Sequence, residues 1–242
     1  MGSYWEYHWR CHMIFADPKF DKVYEDAPQI SYLICGARRS GTTFLCDLLW
    51  KTDRLGKPFE YNLKTCRDII SERIPDGMSY IDFLKKMRTT PNGVFGIKEV
   101  VVAGAKDMVV DKTIYITRRN IVAQAISLAI AKQTLAFFSF QDKKREPVYN
   151  YNELMNNMAH LCWVKCSWEK FFSSRNITPL RIVYEEITET IVSEIADFIG
   201  VKLGNSTSLT TDMVVRQRTE INMEWEDRFR TELTSRGCSV AE

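Results

Sequence analysis

SYLICGARRSGTTFLCDLLW, running from Ser31 to Trp50, sets an apolar run against a short polar loop and then an apolar-rich helical stretch. Tyr32 to Cys35 reads as a strand that stops at Gly36. Ala37-Arg38-Arg39-Ser40-Gly41 reads as a loop, and Thr42-Thr43 opens a helix through Phe44 to Trp50. In that order the loop faces unpaired backbone N–H groups and the positive end of a helix dipole, so an anion placed there meets donors that need a partner anyway. The spacing Gly36-x4-Gly41 is that of a P-loop, yet Thr42 stands where the motif demands the lysine that grips the terminal phosphates of a nucleoside triphosphate. Positive charge sits inside the loop instead, at Arg38 and Arg39, with Thr42 and Thr43 as hydroxyl donors. Such a loop suits a phosphate-like group whose transfer does not rely on bridging Mg²⁺. The plainer alternative is a tight strand-to-helix turn with two solvated arginines.

The rest of the chain bounds what that loop serves. With 242 residues, 45% hydrophobic and 26% charged, the sequence accommodates one large α/β domain spanning residues 1–242, its first thirty residues an aromatic- and charge-rich extension. A net charge of +2 leaves no electrostatic footprint for a nucleic acid, so any anion site is local. No run approaches the ~20 apolar residues of a transmembrane segment, and the N-terminus lacks the apolar core of a signal peptide. The seven cysteines are odd in number and scattered, and read as buried thiols in a reducing, cytoplasmic compartment. Cys162-x3-Cys166 has no further ligands nearby, so no metal site is expected.

The order of elements predicts a P-loop-type α/β fold with a mostly parallel sheet flanked by helices. Val94 to Val102 reads as a buried strand with Lys98 as its polar exception, facing a site at the strand's C-terminal end or a sheet margin. Thr113 to Thr117 is a strand ending in Arg118-Arg119-Asn120, after which a helix runs from Ile121 to Phe138, with Asn120 placed to cap it. Ligands of open α/β sheets bind at the carboxyl ends of strands, so Arg118 and Ser127, about two turns beyond the cap, can converge on a second anion. A helix spans Tyr149 to Phe172, Leu180 to Tyr184 is a strand, and a helix from Ile187 to Ile199 closes at Gly200. Between Thr52 and Leu63 the pattern is a loop. A helix from Thr42 to Lys51 leads ~15 Å away, and eight or nine extended residues span ~26 Å, so Glu60 can return to the anion or lie on the surface.

These stretches resemble the sulfotransferases that use 3′-phosphoadenosine-5′-phosphosulfate (PAPS), and more narrowly the bacterial trehalose 2-sulfotransferase family. The residues that carry the resemblance are Cys35 to Thr43, Gly56 to Tyr61, Thr90 to Lys98, Thr117 to Ser127, and the tail Val215-Arg216-Gln217 with Glu224-Trp225. The resemblance implies a sulfotransferase with PAPS as co-substrate and no metal. Arg38, Arg39, Ser40, Gly41, Thr42 and Thr43 would form the 5′-phosphosulfate loop, and Arg118 and Ser127 would hold the 3′-phosphate. Arg216 and Gln217 would close over the nucleotide. Glu60 would be the general base, with Arg39 stabilising the leaving group. The acceptor would be a small-molecule hydroxyl of sugar or glycolipid-like type, and the assembly a homodimer. The chain departs from the trehalose enzymes at Arg38, where they usually carry Gln, and in the short gap from Asn62 to Thr90. A degenerate P-loop kinase or NTPase, or a nucleotide-binding module without turnover, are the alternatives in other classes.

Overall fold

In the computed structural model, residues 16–137, 141–203 and 219–237 are described. The strands are β1 (Ile30–Gly36), β2 (Val94–Glu99), β3 (Lys112–Thr117) and β4 (Leu180–Val183). The helices are α1 (Thr42–Lys51), α2 (Lys64–Ser71), α3 (Tyr80–Arg88), α4 (Val102–Ala105), α5 (Ile121–Thr134), α6 (Tyr151–Arg175), α7 (Ile191–Ile199) and α8 (Glu220–Ser235). The sheet order is β2-β1-β3-β4, and every pairing is parallel.

β1 is buried along nearly its whole length because both of its faces carry apolar side chains, as parallel strands covered by helices require. On one face Leu33 and Cys35 join Phe95, Ile97, Tyr115, Trp168 and Phe172. On the other, Tyr32 and Ile34 meet Leu45, Leu49, Ile114, Ile116, Ile195 and Ile199. The period-two alternation of the strand therefore builds two cores, one on each side of the sheet. The chain leaves β1 for β2 on one side and later crosses to β3 on the other, so the carboxyl end of β1 is the point where the strand order reverses. Open α/β sheets bind ligands in the crevice at such a point.

The structure corrects four element boundaries. β2 ends at Glu99, and α4 occupies Val102 to Ala105 instead of a continuing strand. α5 stops at Thr134 because Leu135 adopts a left-handed conformation with φ 57°. Residues 184–186 form a short 3₁₀ turn and α7 starts only at Ile191. α2, which was not foreseen, is a short amphipathic helix that buries Thr65, Cys66 and Ile70. Asn120 does cap α5, its side chain accepting from the Ala123 N–H at 2.9 Å. Cys35, Cys46 and Cys66 are buried as expected, whereas Cys162 and Cys166 are exposed on α6. No helix of the described residues is long and apolar enough to cross a membrane.

Candidate active site

The loop after β1 is held by its own atoms. Ser40, fully buried, donates its hydroxyl to the Ala37 carbonyl at 2.7 Å. Arg39 turns the chain through the left-handed region at φ 64°, and Gly41 follows at φ 90°. A Cβ at Gly41 would lie 2.3 Å from the Tyr184 ring, so this position needs glycine for both conformation and space. Gly41 is also the N-cap of α1 and brings no side-chain hydrogen bond to it, which leaves the cap of the helix to the backbone. Thr42 is buried and Thr43 half-buried in the first turn.

The next segment leads back to that turn. Gly56, at φ 71°, lets the chain pass against β2, where a Cβ would sit 2.7 Å from the Gly96 nitrogen. The Lys98 N–H then donates to the Phe59 carbonyl at 3.0 Å, as an added strand would. Trp50 Nε1 donates to the Pro58 carbonyl at 2.8 Å, and Tyr61 donates its hydroxyl to the Lys57 carbonyl at 2.6 Å. The segment is thus fixed at both sides of Glu60. Lys98 Nζ stands 3.2 Å from Glu60 Oε1 and donates to Thr43 Oγ1 at 3.1 Å. Glu60, Lys98 and the first turn of α1 therefore form one continuous polar chain. The Lys98 side chain is 1% exposed and that of Glu60 14%. Lys98 was visible in the sequence as the polar exception of its strand, and the pairing of Ile34 with Lys98 shows why: the lysine lies at the carboxyl edge of the sheet beside the end of β1.

Arg39 and Arg118 form a second group. The Arg39 guanidinium donates through Nε to Ser127 Oγ at 2.9 Å and through its terminal nitrogen to the Phe137 carbonyl at 2.6 Å. Arg118 donates to the Arg39 carbonyl at 3.4 Å and lies 5.5 Å from the Tyr184 ring centre, with Glu185 Oε1 at 3.8 Å from its Nε. Burial, and next the like charge of Arg118, push the Arg39 guanidinium down to about 10, still cationic at neutral pH. So the structure joins Ser127 to Arg39, and sets Arg118 against the backbone of the same loop. Lys165 of α6 adds a further cation here, donating to the Arg118 carbonyl at 2.9 Å. The sequence reading did not single it out, because helical periodicity hides a lysine among surface charges. Gln124 donates to the Arg38 carbonyl at 2.8 Å and anchors the loop to α5. Arg216 and Gln217 lie outside the described residues.

Beside Glu60 opens a cavity of about 840 Å³ between β2, α2, α3 and α4. Arg38 lines it, and so do Glu60, Asn62 and Glu99, while Phe95, Ile97, Met108 and Val110 form apolar wall. Among the described residues no group of three or more His, Cys, Asp or Glu is arranged to hold a metal.

Comparison with known proteins decides what this arrangement belongs to. Residues 105–232, more than half of the chain, match the model of the Stf0 sulphotransferase family. The chain belongs to that family. Among the relatives of this Stf0 sulphotransferase is the trehalose 2-sulfotransferase of Mycobacterium tuberculosis, 23% identical over 253 aligned positions that cover 83% of this chain and 94% of the relative. Another is the trehalose 2-sulfotransferase of Mycolicibacterium smegmatis, 24% identical over 264 positions, covering 87% and 98%. The matched family span contains Arg118 and Ser127, while the loop and Glu60 precede it. Among solved structures, the sulfotransferase domain of the Synechococcus PCC 7002 olefin synthase is similar at 14% identity with a TM-score of 0.48, covering 87% of this chain and 90% of that one.

Proposed function

We propose that this Stf0 sulphotransferase moves a sulfuryl group from PAPS to a hydroxyl of a small-molecule, carbohydrate-type acceptor, with Glu60 as general base. The observation that carries this reading is the chain from Glu60 Oε1 through Lys98 Nζ to Thr43 Oγ1, which ties a carboxylate on a cavity wall to the first turn of the helix behind the loop. The relatives named for trehalose sulfation support a sugar-type acceptor.

The residues fit an anionic donor. The 5′-phosphosulfate would lie on Arg38, Ser40, Gly41, Thr42 and Thr43, where backbone donors and the helix dipole favour negative charge. Arg39, which holds Ser127, and the neighbouring Arg118 suit the 3′-phosphate, which relieves their mutual repulsion. Arg39 would thus serve the nucleotide more than the leaving group, and Lys98 is the cation set between base and loop. Glu60 takes the proton as the acceptor oxygen attacks sulfur in line. The new O–S bond forms as the S–O bond to the phosphate breaks, and the charge left on that phosphate falls to the loop N–H groups and Lys98.

Calorimetric titration of PAPS and of ATP, each with and without Mg²⁺, tests the donor. PAPS is expected to bind equally well with the metal chelated. Tight Mg²⁺-dependent ATP binding with no PAPS binding would overturn the reading in favour of a kinase or NTPase.

A further inference from the structure

Glu99 is a second carboxyl on the wall of the cavity beside Glu60, and the proposed chemistry does not use it. Its position follows from the end of β2. In the register Cys35 pairs with Glu99, so the residue after Lys98 turns to the opposite face of the sheet, where Phe95 and Ile97 precede it. The side chain is 5% exposed, a costly place for a carboxyl unless a partner needs it. Asn62, two residues past Glu60, donates through Nδ2 to Glu99 Oε1 at 2.8 Å and to the Gly104 carbonyl at 3.2 Å, which fixes the carboxyl plane. The other oxygen receives no hydrogen bond from the described residues. It lies where a Cβ on Gly104 would be, 2.1 Å away, so the bare glycine makes its room. Burial pushes the carboxyl up to about 8; the Asn62 amide works against this and the nearby Glu60 carboxylate adds to it. A neutral carboxyl both donates and accepts a hydrogen bond, as a hydroxyl does.

Phe95 and Ile97, each 1% exposed, back the cavity behind Glu99, and its accessible apolar side chains include the half-buried Leu63, Met108 and Val110. Charged side chains also line it, among them Arg38, Glu60, Arg67 and Lys85, and ligand cavities use such polar groups to orient what they bind. We propose that Glu99, oriented by Asn62, recognises the acceptor by hydrogen bonding a hydroxyl other than the one that attacks, in a molecule whose apolar body lies along Leu63, Met108 and Val110. The acceptor class is then a polyhydroxylated head on an apolar tail, the term acceptor itself resting on the sulfuryl-transfer reading.

Octyl β-D-glucoside, below its micelle concentration, and octan-1-ol are the probes, titrated calorimetrically into the full chain. Both carry the same tail, and only the first carries several hydroxyls. Octyl glucoside is expected to bind the wild type more tightly than octanol. Glu99→Leu should weaken it about fivefold or more while leaving octanol within about twofold, and Glu99→Gln should retain most of the affinity. Gly104→Ala, which displaces the carboxyl without deleting it, should weaken octyl glucoside as Glu99→Leu does. Equal binding of the two probes to the wild type, or an equal loss of both in Glu99→Leu and Gly104→Ala, would overturn the inference. PAPS binding measured on the same preparations separates the two levels. If PAPS binds and the glucoside selectivity is absent, the inference fails and the donor reading stands. If the selectivity is present and PAPS does not bind, the cavity is a polyol site and the donor reading fails.

Discussion

Lys98 stands 3.2 Å from Glu60 Oε1, and both side chains are largely removed from water. A buried pair of this kind is worth little against two apolar residues, yet removing one partner strands the other charge at a cost of about 3 to 5 kcal/mol. Lys98→Met is therefore expected to lower stability to urea by about that amount. Lys98→Met with Glu60→Gln should lose clearly less than the sum of the two single variants. Additive losses in this double-mutant cycle would mean that the two groups do not act on each other.

Glu60→Gln keeps the shape of the segment and removes the base. On the proposed mechanism kcat falls by about 10² to 10⁴, while affinity for the desulfated nucleotide changes little. Transfer of labelled sulfate together with a nucleotide titration separates these effects, and an unchanged kcat would remove Glu60 from the chemistry.

Arg118→Ala tests the proposed 3′-phosphate site. Charge-assisted hydrogen bonds are worth about 1.5 to 3 kcal/mol, so 3′-phosphoadenosine 5′-phosphate should bind roughly 10- to 100-fold more weakly. AMP, which lacks the 3′-phosphate, should lose far less. Equal losses for the two nucleotides would place Arg118 elsewhere in its role.

What the sequence disclosed, and what it did not, follows from the range of the interactions involved. The strand, loop and helix around Gly36 to Thr43 were legible because each depends on neighbouring residues: apolar alternation, a loop glycine and the start of a helix. The Asn120 cap was legible for the same reason. Arg39 was not assigned its partner, since Ser127 lies 88 positions away and only the packing of α5 against the loop brings the two to 2.9 Å. Lys98 stood out as polar in an apolar strand, but its contact with Glu60 depends on the segment after Gly56 being laid against β2. Glu99 lay inside a strand read as running on to Val102 and was not singled out, and its partner Asn62 was read as part of a loop. Side chains that meet across elements leave only such local oddities in the sequence.

Gly41→Ala adds a methyl group at φ 90°, 2.3 Å from the Tyr184 ring. Backbone strain of this kind costs on the order of 1 to 3 kcal/mol, and the clash adds to it. A lowered melting temperature is expected. Replacing Tyr184 by Ala in the same chain should recover the part due to the clash and leave the part due to the backbone. Full recovery would show that the conformation at Gly41 carries no strain.

The raised carboxyl of Glu99 makes a prediction with a definite sign. Its folded value, about 8, lies above its ordinary 4.5, mainly through burial. Between those values the native chain holds a proton that the unfolded chain has released. Stability from the neutral carboxyl is therefore complete below about pH 4.5 and is lost as pH rises through about 8. Other charged side chains lie nearby: Glu60 and Lys98 beside it, and Arg38, Arg67, Lys85, Lys106 and Asp107 around the cavity. They are common to the wild type and Glu99→Gln, so the difference between the two isolates Glu99. Urea unfolding at several pH values is expected to show the wild type losing stability relative to Glu99→Gln from about pH 5 to 9, by on the order of a few kcal/mol. A difference that stays constant across that range would mean that Glu99 titrates as an ordinary carboxylate.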